Sequence, residues 1–333
     1  MIENKIEVNM ILAGDIGGTK TLLGLFDAAP LRPRAITVES FGTLDYDDLP
    51  SMIATFLQRA GAAPGSIDFA CFGVAGPVIA EAATLTNVPW RVEARAVAST
   101  FTIAHVFLLN DLEAMAWAVP VLREGEVHVL QEGEALRGGN IALIAAGTGL
   151  GQAMLHALGG RFIPSPSEGG HADFAARTDR EVALLRDLTE RFGRAEVEHV
   201  VSGRGLINIH RVAHRQQPCR AAIDLESTDA PASISRAALD RTCPGCVDTL
   251  DIFVEAYGAE AGNLALRSVS TGGMYVGGGI APKILPALTT GLFMRAFCAK
   301  PPLDPMLSRM PVKVILNAEA GLLGAAVFGA SRR

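Results

Sequence analysis

The sequence predicts an α/β protein built from two related halves, and three observations carry that reading. Short apolar strands alternate with amphipathic helical segments along most of the chain, the pattern of layered α/β folds. A strand, glycine turn and strand at residues 10–26, "MILAGDIGGTKTLLGLF", return at residues 140–155 as "NIALIAAGTGLGQAML", which suggests an internal duplication. The 333 residues are 49% hydrophobic, enough to fill the cores of two domains of ordinary size.

Taken in order, the first apolar run, Met10–Ala13, leads into "GDIGGTKT" at residues 14–21. This octet approaches a Walker A loop, with Gly14, Lys20 and Thr21 correctly spaced but Thr19 in place of the second glycine. A true P-loop opens a helix, whose N-terminus and loop amides cradle phosphate. Here the apolar "TLLGLFD" follows at once and then Pro30 and Pro33, so the sequence predicts a second strand returning from a hairpin. Ile53, Phe56, Leu57 and Ala60 fall at helical spacing and predict a helix over 47–60. "DFACFGVAG" and "HVFLLN" read as buried strands, the second running straight into a helix, "DLEAMAWAV". A third glycine cluster, "STGGMYVGGGIAPKIL", predicts a strand followed by a helix with Pro282 in its first turn. With the first strand beginning at Met10, residues 1–9 are expected to be a dispensable extension.

Composition excludes several classes. The net charge is −6, with Lys and Arg scattered, so the footprint of a nucleic-acid binder is missing. Glycine interrupts every long apolar stretch before the roughly 20 residues that a membrane span needs, and "MIENKIEVNM" is too polar for a secretory signal, so a cytoplasmic protein is expected. Five cysteines make an odd, sparse set rather than a disulfide framework. Cys243-Pro244-Gly245-Cys246 has neither a second cysteine pair nor a histidine at zinc-finger spacing, and reads as an ordinary buried pair.

Four places could carry chemistry. Asp15 lies at the end of a buried strand within the first glycine turn; it either caps that turn or holds Mg²⁺ beside the amides of Gly17, Gly18 and Thr19. Asn110-Asp111 marks a strand end and a helix start, where ligands collect in open α/β sheets; Asp111 is either the helix cap or a general base. "SEGGHADF" sets Glu168 and His171 three apart across two glycines, a carboxylate and an imidazole suited to neighbouring hydroxyls of a polyol, with no further metal ligand nearby in sequence. Glu198 and His199 taken alone read as solvated helix residues.

The ordered set "GDIGGT", "LLNDLEAMA", "AAGTGLG", "SEGGHADF", "VVSGRGLINIHR", "GGMYVGGGIAPKIL" and "AGLLGAA" resembles the bacterial ATP-dependent glucokinases, within the superfamily of sugar kinases, actin and heat-shock chaperone ATPases. The resemblance implies a two-domain, actin-like (ribonuclease H-like) α/β architecture with a ligand cleft between the domains. The small domain would comprise 1–121 plus 317–333 and the large one 122–316. It implies that MgATP meets Gly14, Asp15, Ile16, Gly17, Gly18 and Thr19, then Gly147, Thr148 and Gly149, then Gly277, Gly278 and Gly279, with Asp15 as the residue associated with Mg²⁺. Glucose would be held by Asn110, Asp111, Glu168, His171 and Glu198, with Asp111 as catalytic base and a homodimer as the assembly. Lys20 and Thr21 replace the Asn and Ala common after GGT, and Ser167 stands where glycine is frequent. Nothing after His171 in sequence matches the cysteine-rich zinc motif of the related repressor and kinase group. The competing readings are a kinase of another hexose or amino sugar, a sugar sensor without turnover, and a nicotinamide dehydrogenase. The last is disfavoured because "GTGLGQ" lacks the final glycine of GxGxxG.

Overall fold

The computed structural model describes residues 10–29, 31–85 and 88–332, so the expectation about residues 1–9 lies outside the described residues. The chain forms two compact units, one from the chain up to Arg123 and from Asn317 onward, the other from Glu124–Leu316.

In the first unit β1 (Met10–Ile16) and β2 (Lys20–Asp27) form the expected antiparallel hairpin, and β3 (Ala35–Gly42) extends it. Helix α1 (Leu49–Ala60) begins two residues later than the periodicity predicts, because the Asp48 side chain accepts from Ser51 N–H and fixes the cap there; Gly61 ends it in the left-handed region. β4 (Ile67–Val74) follows, then a small sheet of β5 (Val78–Ile79), β6 (Ala82–Thr84) and β7 (Arg91–Glu93), helix α2 (Ala94–Phe101), β8 (His105–Asn110) and α3 (Asp111–Ala118).

The second unit comprises β9 (Val127–Gln131), β10 (Ile141–Ala146), β11 (Leu150–Leu158), β12 (Arg161–Ser167), α4 (Asp179–Phe192), α5 (Gly203–Ala213), α6 (Ala230–Leu239) and α7 (Pro244–Ser268). It continues with β13 (Gly273–Gly277), α8 (Leu285–Leu288), α9 (Leu292–Cys298), α10 (Asp304–Leu307) and β14 (Val312–Ile315). The helix expected at Pro282 is a 3₁₀ turn, Ala281–Ile284, followed by the single turn of α8, since Pro286 interrupts the run. Helix α11 (Ala320–Ser331) completes the first unit.

The main sheets share one plan, as the repeated turn anticipates. Their orders are β3-β2-β1-β4-β8 and β12-β11-β10-β13-β14-β9, and in each the strand before the glycine turn pairs antiparallel with its successor and parallel with a later strand. β10 is buried throughout and α7 over most of its length, giving the second unit a core around Phe253, Tyr257, Phe293 and Phe297. Helix α11 lays Leu322, Ala325, Ala326 and Phe328 against Ile11, Ala13, Cys71 and Ala114. Among the described residues no helix is long and apolar enough to cross a membrane.

At the crossing of α11 and α3, a Cβ added to Gly324 would sit 1.7 Å from the carbonyl oxygen of Ala114. Backbone cannot yield as a flexible side chain can, so Gly324→Ala is expected to destabilise the protein by about 3 kcal/mol or more in urea unfolding. An unchanged midpoint would mean that the crossing is not tight.

Candidate active site

The first glycine turn is a hairpin closed by Gly17 N–H donating to Lys20 O at 3.1 Å. Thr21, the would-be Walker threonine, is fully buried: its hydroxyl lies 2.9 Å from that of Thr43, which donates to Gly17 O at 2.8 Å. It therefore braces the turn from beneath. Gly14 and Ile16 lie in β1 between β2 and β4, and the Ile16 side chain fills the core, whereas Gly18 and Thr19 form the accessible tip.

Asp15 sits half-buried beside the same turn. A Cβ on Gly321 would lie 2.7 Å from its Oδ2, so that glycine makes room for the carboxylate. Burial, reinforced by the negative charge of Asp111 and only partly offset by Lys20, raises the Asp15 pKa from 3.8 to about 6. A divalent cation beside Asp15 would offset the negative charge of Asp111 that disfavours its ionisation.

Sequence leaves Asp111 between cap and base, and in the structure it shares the helix start with its neighbour: Asp111 Oδ1 accepts from Leu112 N–H at 2.8 Å. Asn110 Oδ1 accepts from Leu112 N–H at 3.0 Å and Glu113 N–H at 3.4 Å, while Nδ2 donates to Gly76 O at 3.3 Å. Asp111 is the first residue of α3 and is exposed, at the carboxyl end of β8.

In the second unit the other two glycine turns lie at adjacent ends of parallel strands, with Ala145 opposite Gly277. Gly278 has φ 83°, and a Cβ there would fall 2.3 Å from Ala146 O, so only glycine lets the two turns approach this closely. Tyr257 of α7, which sequence reading misses, ties the strand ends together: its hydroxyl accepts from Ala146 N–H at 3.1 Å and donates to Gly277 O at 3.2 Å. Gly203, opening α5, donates to Gly147 O at 2.8 Å, which brings a helix N-terminus to the second turn; Thr148 and Gly279 are exposed there.

The same unit gathers Glu168, His171 and Glu198. The two glycines after Glu168 are needed because the loop lies directly on β11: a Cβ on Gly170 would meet Leu150 O at 2.2 Å. Ser167 steadies this turn by accepting Gly169 N–H at 3.1 Å. His171 Nε2 lies 3.9 Å from Glu168 and its Nδ1 3.2 Å from Glu196. Glu198 belongs to a half-buried 3₁₀ turn, Val197–His199, rather than to a solvated helix, and accepts Leu150 N–H at 2.7 Å beside Gly149.

Glu196, also missed, is a hub for His171, His199 and Arg194. His171, Glu196 and Glu198 bring three donor atoms within 4.8 Å of one another, so the expectation of no further metal ligand near this histidine is corrected: Glu196 and Glu198 arrive from 25 and 27 residues downstream. The Glu196 hydrogen bond, chiefly, raises the His171 pKa. The Cys243/Cys246 pair is likewise no isolated buried pair, since Cys219 and His214 meet it.

A duplicated sheet with glycine turns at its strand ends is the plan of a sugar kinase of the actin-like ATPase fold. A sequence model of the family described as Glucokinase matches residues 12–332. The glucokinase of Nostoc punctiforme is 38% identical over 97% of this chain and 99% of its own, and that of Synechocystis sp. is 39% identical over 96% and 97%. Among solved structures, a glucokinase from an Antarctic psychrotroph is similar with a TM-score of 0.83 and 29% identity, covering 96% of this chain and 98% of that one. The glucose complex of Balamuthia mandrillaris glucokinase shares the fold with a TM-score of 0.78 at 21% identity, covering 99% and 96%. The chain belongs to the glucokinase family.

Two predictions follow from the charges. Asp15 binds its proton more tightly folded than unfolded, so stability falls as pH rises from 3.8 through about 6 and the cost persists above that window. In metal-free protein Asp15→Asn should therefore add about 1–3 kcal/mol at pH 7 in urea titrations, a gain that shrinks towards zero below about pH 4; no gain at pH 7 would refute the burial of the charge. For His171 the sign is reversed: the raised pKa contributes stability that is fully present below 6.5 and is lost as pH rises through the folded value. An NMR titration should place its midpoint above 6.5 and Glu196→Gln should lower it; an unmoved midpoint would dissolve the pairing.

Proposed function

We propose that the chain transfers the γ-phosphoryl group of MgATP to the 6-hydroxyl of D-glucose, giving glucose 6-phosphate and ADP. The observation that carries the mechanism is the pair of carboxylates in the first unit: Asp111 stands exposed at the end of β8, in the first turn of α3, and its negative charge helps to raise the Asp15 pKa. As the hydroxyl attacks, Asp111 takes its proton. Asn110 orients the sugar from a side chain already fixed by its cap and by Gly76. Glu168, His171 and Glu198 receive other hydroxyls, and a sugar lacking or inverting one leaves these groups unpaired, the strongest available form of rejection.

The phosphoryl transition state spreads negative charge, so positioning and electrostatic stabilisation dominate. Gly18 and Thr19 at the first turn, Gly147, Thr148 and Gly149 at the second, and Gly277, Gly278 and Gly279 at the third present backbone to the nucleotide. Gly14 and Ile16 act by holding the turn in the sheet. Mg²⁺, when bound, neutralises phosphate charge, and the Asp15 carboxylate fits it because a cation relieves the repulsion from Asp111. The proposal includes the two compact units as the small and large domains, and the cytoplasmic homodimer that the family resemblance implies.

A coupled assay with MgATP and glucose should show turnover that needs the sugar. Asp111→Ala should lower kcat by about 10²–10⁴-fold while glucose affinity changes less. Near-normal turnover in that variant would remove Asp111 as base; absence of wild-type turnover with glucose still bound would point to another acceptor, donor or a sensor.

A further inference from the structure

A second constellation of ligand-type side chains lies in the Glu124–Leu316 unit, where the C-terminal end of α5, the irregular segment 214–229 and the start of α7 converge. We propose that Cys219, Cys243, Cys246 and His214 bind one structural zinc ion.

The sulfur atoms are spaced for a metal rather than for each other. Cys219 Sγ lies 3.9 Å from Cys243 Sγ and 3.8 Å from Cys246 Sγ, and His214 Nε2 lies 3.3 Å from Cys243 Sγ. Zinc–sulfur bonds of about 2.3 Å and zinc–nitrogen bonds of about 2.0–2.1 Å give tetrahedral edges of about 3.8 Å between sulfurs and about 3.6 Å from sulfur to nitrogen. A disulfide would need about 2.05 Å, and all three thiols are free. The donor atoms of His214, Cys219 and Cys246, with one from His210, fall within 4.8 Å of one another.

The surroundings are arranged as a metal site requires. His214 Nδ1 lies 2.9 Å from the carbonyl oxygen of His210 and donates to it, which fixes the tautomer and turns the Nε2 lone pair towards Cys243. Gly245, between the two cysteines, admits the ring: a Cβ there would lie 2.5 Å from His214 Nε2. Cys243 and Cys246 are buried, and the buried ring nitrogens of His210, stacked on His214 at 3.9 Å, have no hydrogen-bond partner. The region thus holds more donor atoms than the protein itself satisfies. Three thiolates and one imidazole form a closed set of protein ligands, with no position set aside for water, which is the chemistry of structural zinc. The ion would staple segment 214–229 to α5 and α7.

Metal analysis of the tag-free full chain, purified without chelator, should find about one zinc per chain, and Cys243→Ser/Cys246→Ser should carry about a tenth of that or less. Because that variant could unfold, the wild-type chain is also stripped of metal, reduced and titrated with Co²⁺; an intense tetrahedral thiolate spectrum saturating at one equivalent and displaced by zinc is expected. His214→Ala should weaken the cobalt midpoint at least about tenfold. Wild-type protein free of metal with no thiolate–cobalt spectrum, or a disulfide among these cysteines in the unreduced native chain, would overturn the assignment. These readouts are independent of phosphoryl transfer.

Discussion

A single buried hydroxyl governs the architecture of the second unit. Tyr257 holds Ala146 N–H and Gly277 O at the ends of neighbouring parallel strands, where two glycine turns leave the sheet. Its ring is itself fixed by edge-on contacts with Phe253 and Phe293. Helix α7 reaches that depth because Gly258 passes against the backbone of Phe293, where a Cβ would lie 2.2 Å from the carbonyl oxygen. The spacing of the two glycine turns is therefore set by the packing of two helices behind the sheet. Burial pushes the tyrosine pKa upward, so the hydroxyl keeps the proton it donates.

Charge is the corresponding constraint in the first unit. Asp15 pays for its position in desolvation and in repulsion from Asp111, a stress that no packing requirement explains. The local arrangement around it is specific: Thr21 and Thr43 bury their hydroxyls together to hold the turn, Gly321 clears space for the carboxylate, and Asn110 shares the start of α3 with Asp111. Strain of this kind is expected at functional sites, where local stability is given up for a poised group.

The hairpin, the repeated turn and most strands were legible in the sequence because they rest on local periodicity and on glycine and proline punctuation. The start of α1 shifted because a single side chain, Asp48, decided it. The third cluster ended in a 3₁₀ turn because two prolines lie four apart. Glu198 looked solvated because its acceptor role towards Leu150 N–H spans 48 residues, and Glu196 and Tyr257 gave no local signal for the same reason. The cysteine cluster shows the limit most plainly: the search for metal ligands by spacing stopped at Cys243 and Cys246, while Cys219 and His214 arrive from 24 and 29 residues upstream.

The duplication also explains why the two halves differ where they look most alike. Both present a strand, a glycine turn and an antiparallel return, yet the first carries Asp15 before its turn and the second carries Ala146. A carboxylate at that strand end would bear its own desolvation cost, as Asp15 does. In the second half the backbone N–H at that strand end donates to the Tyr257 hydroxyl, a neutral contact that fixes geometry. One copy of the device thus carries charge, and the other is held in shape by a neutral hydrogen bond.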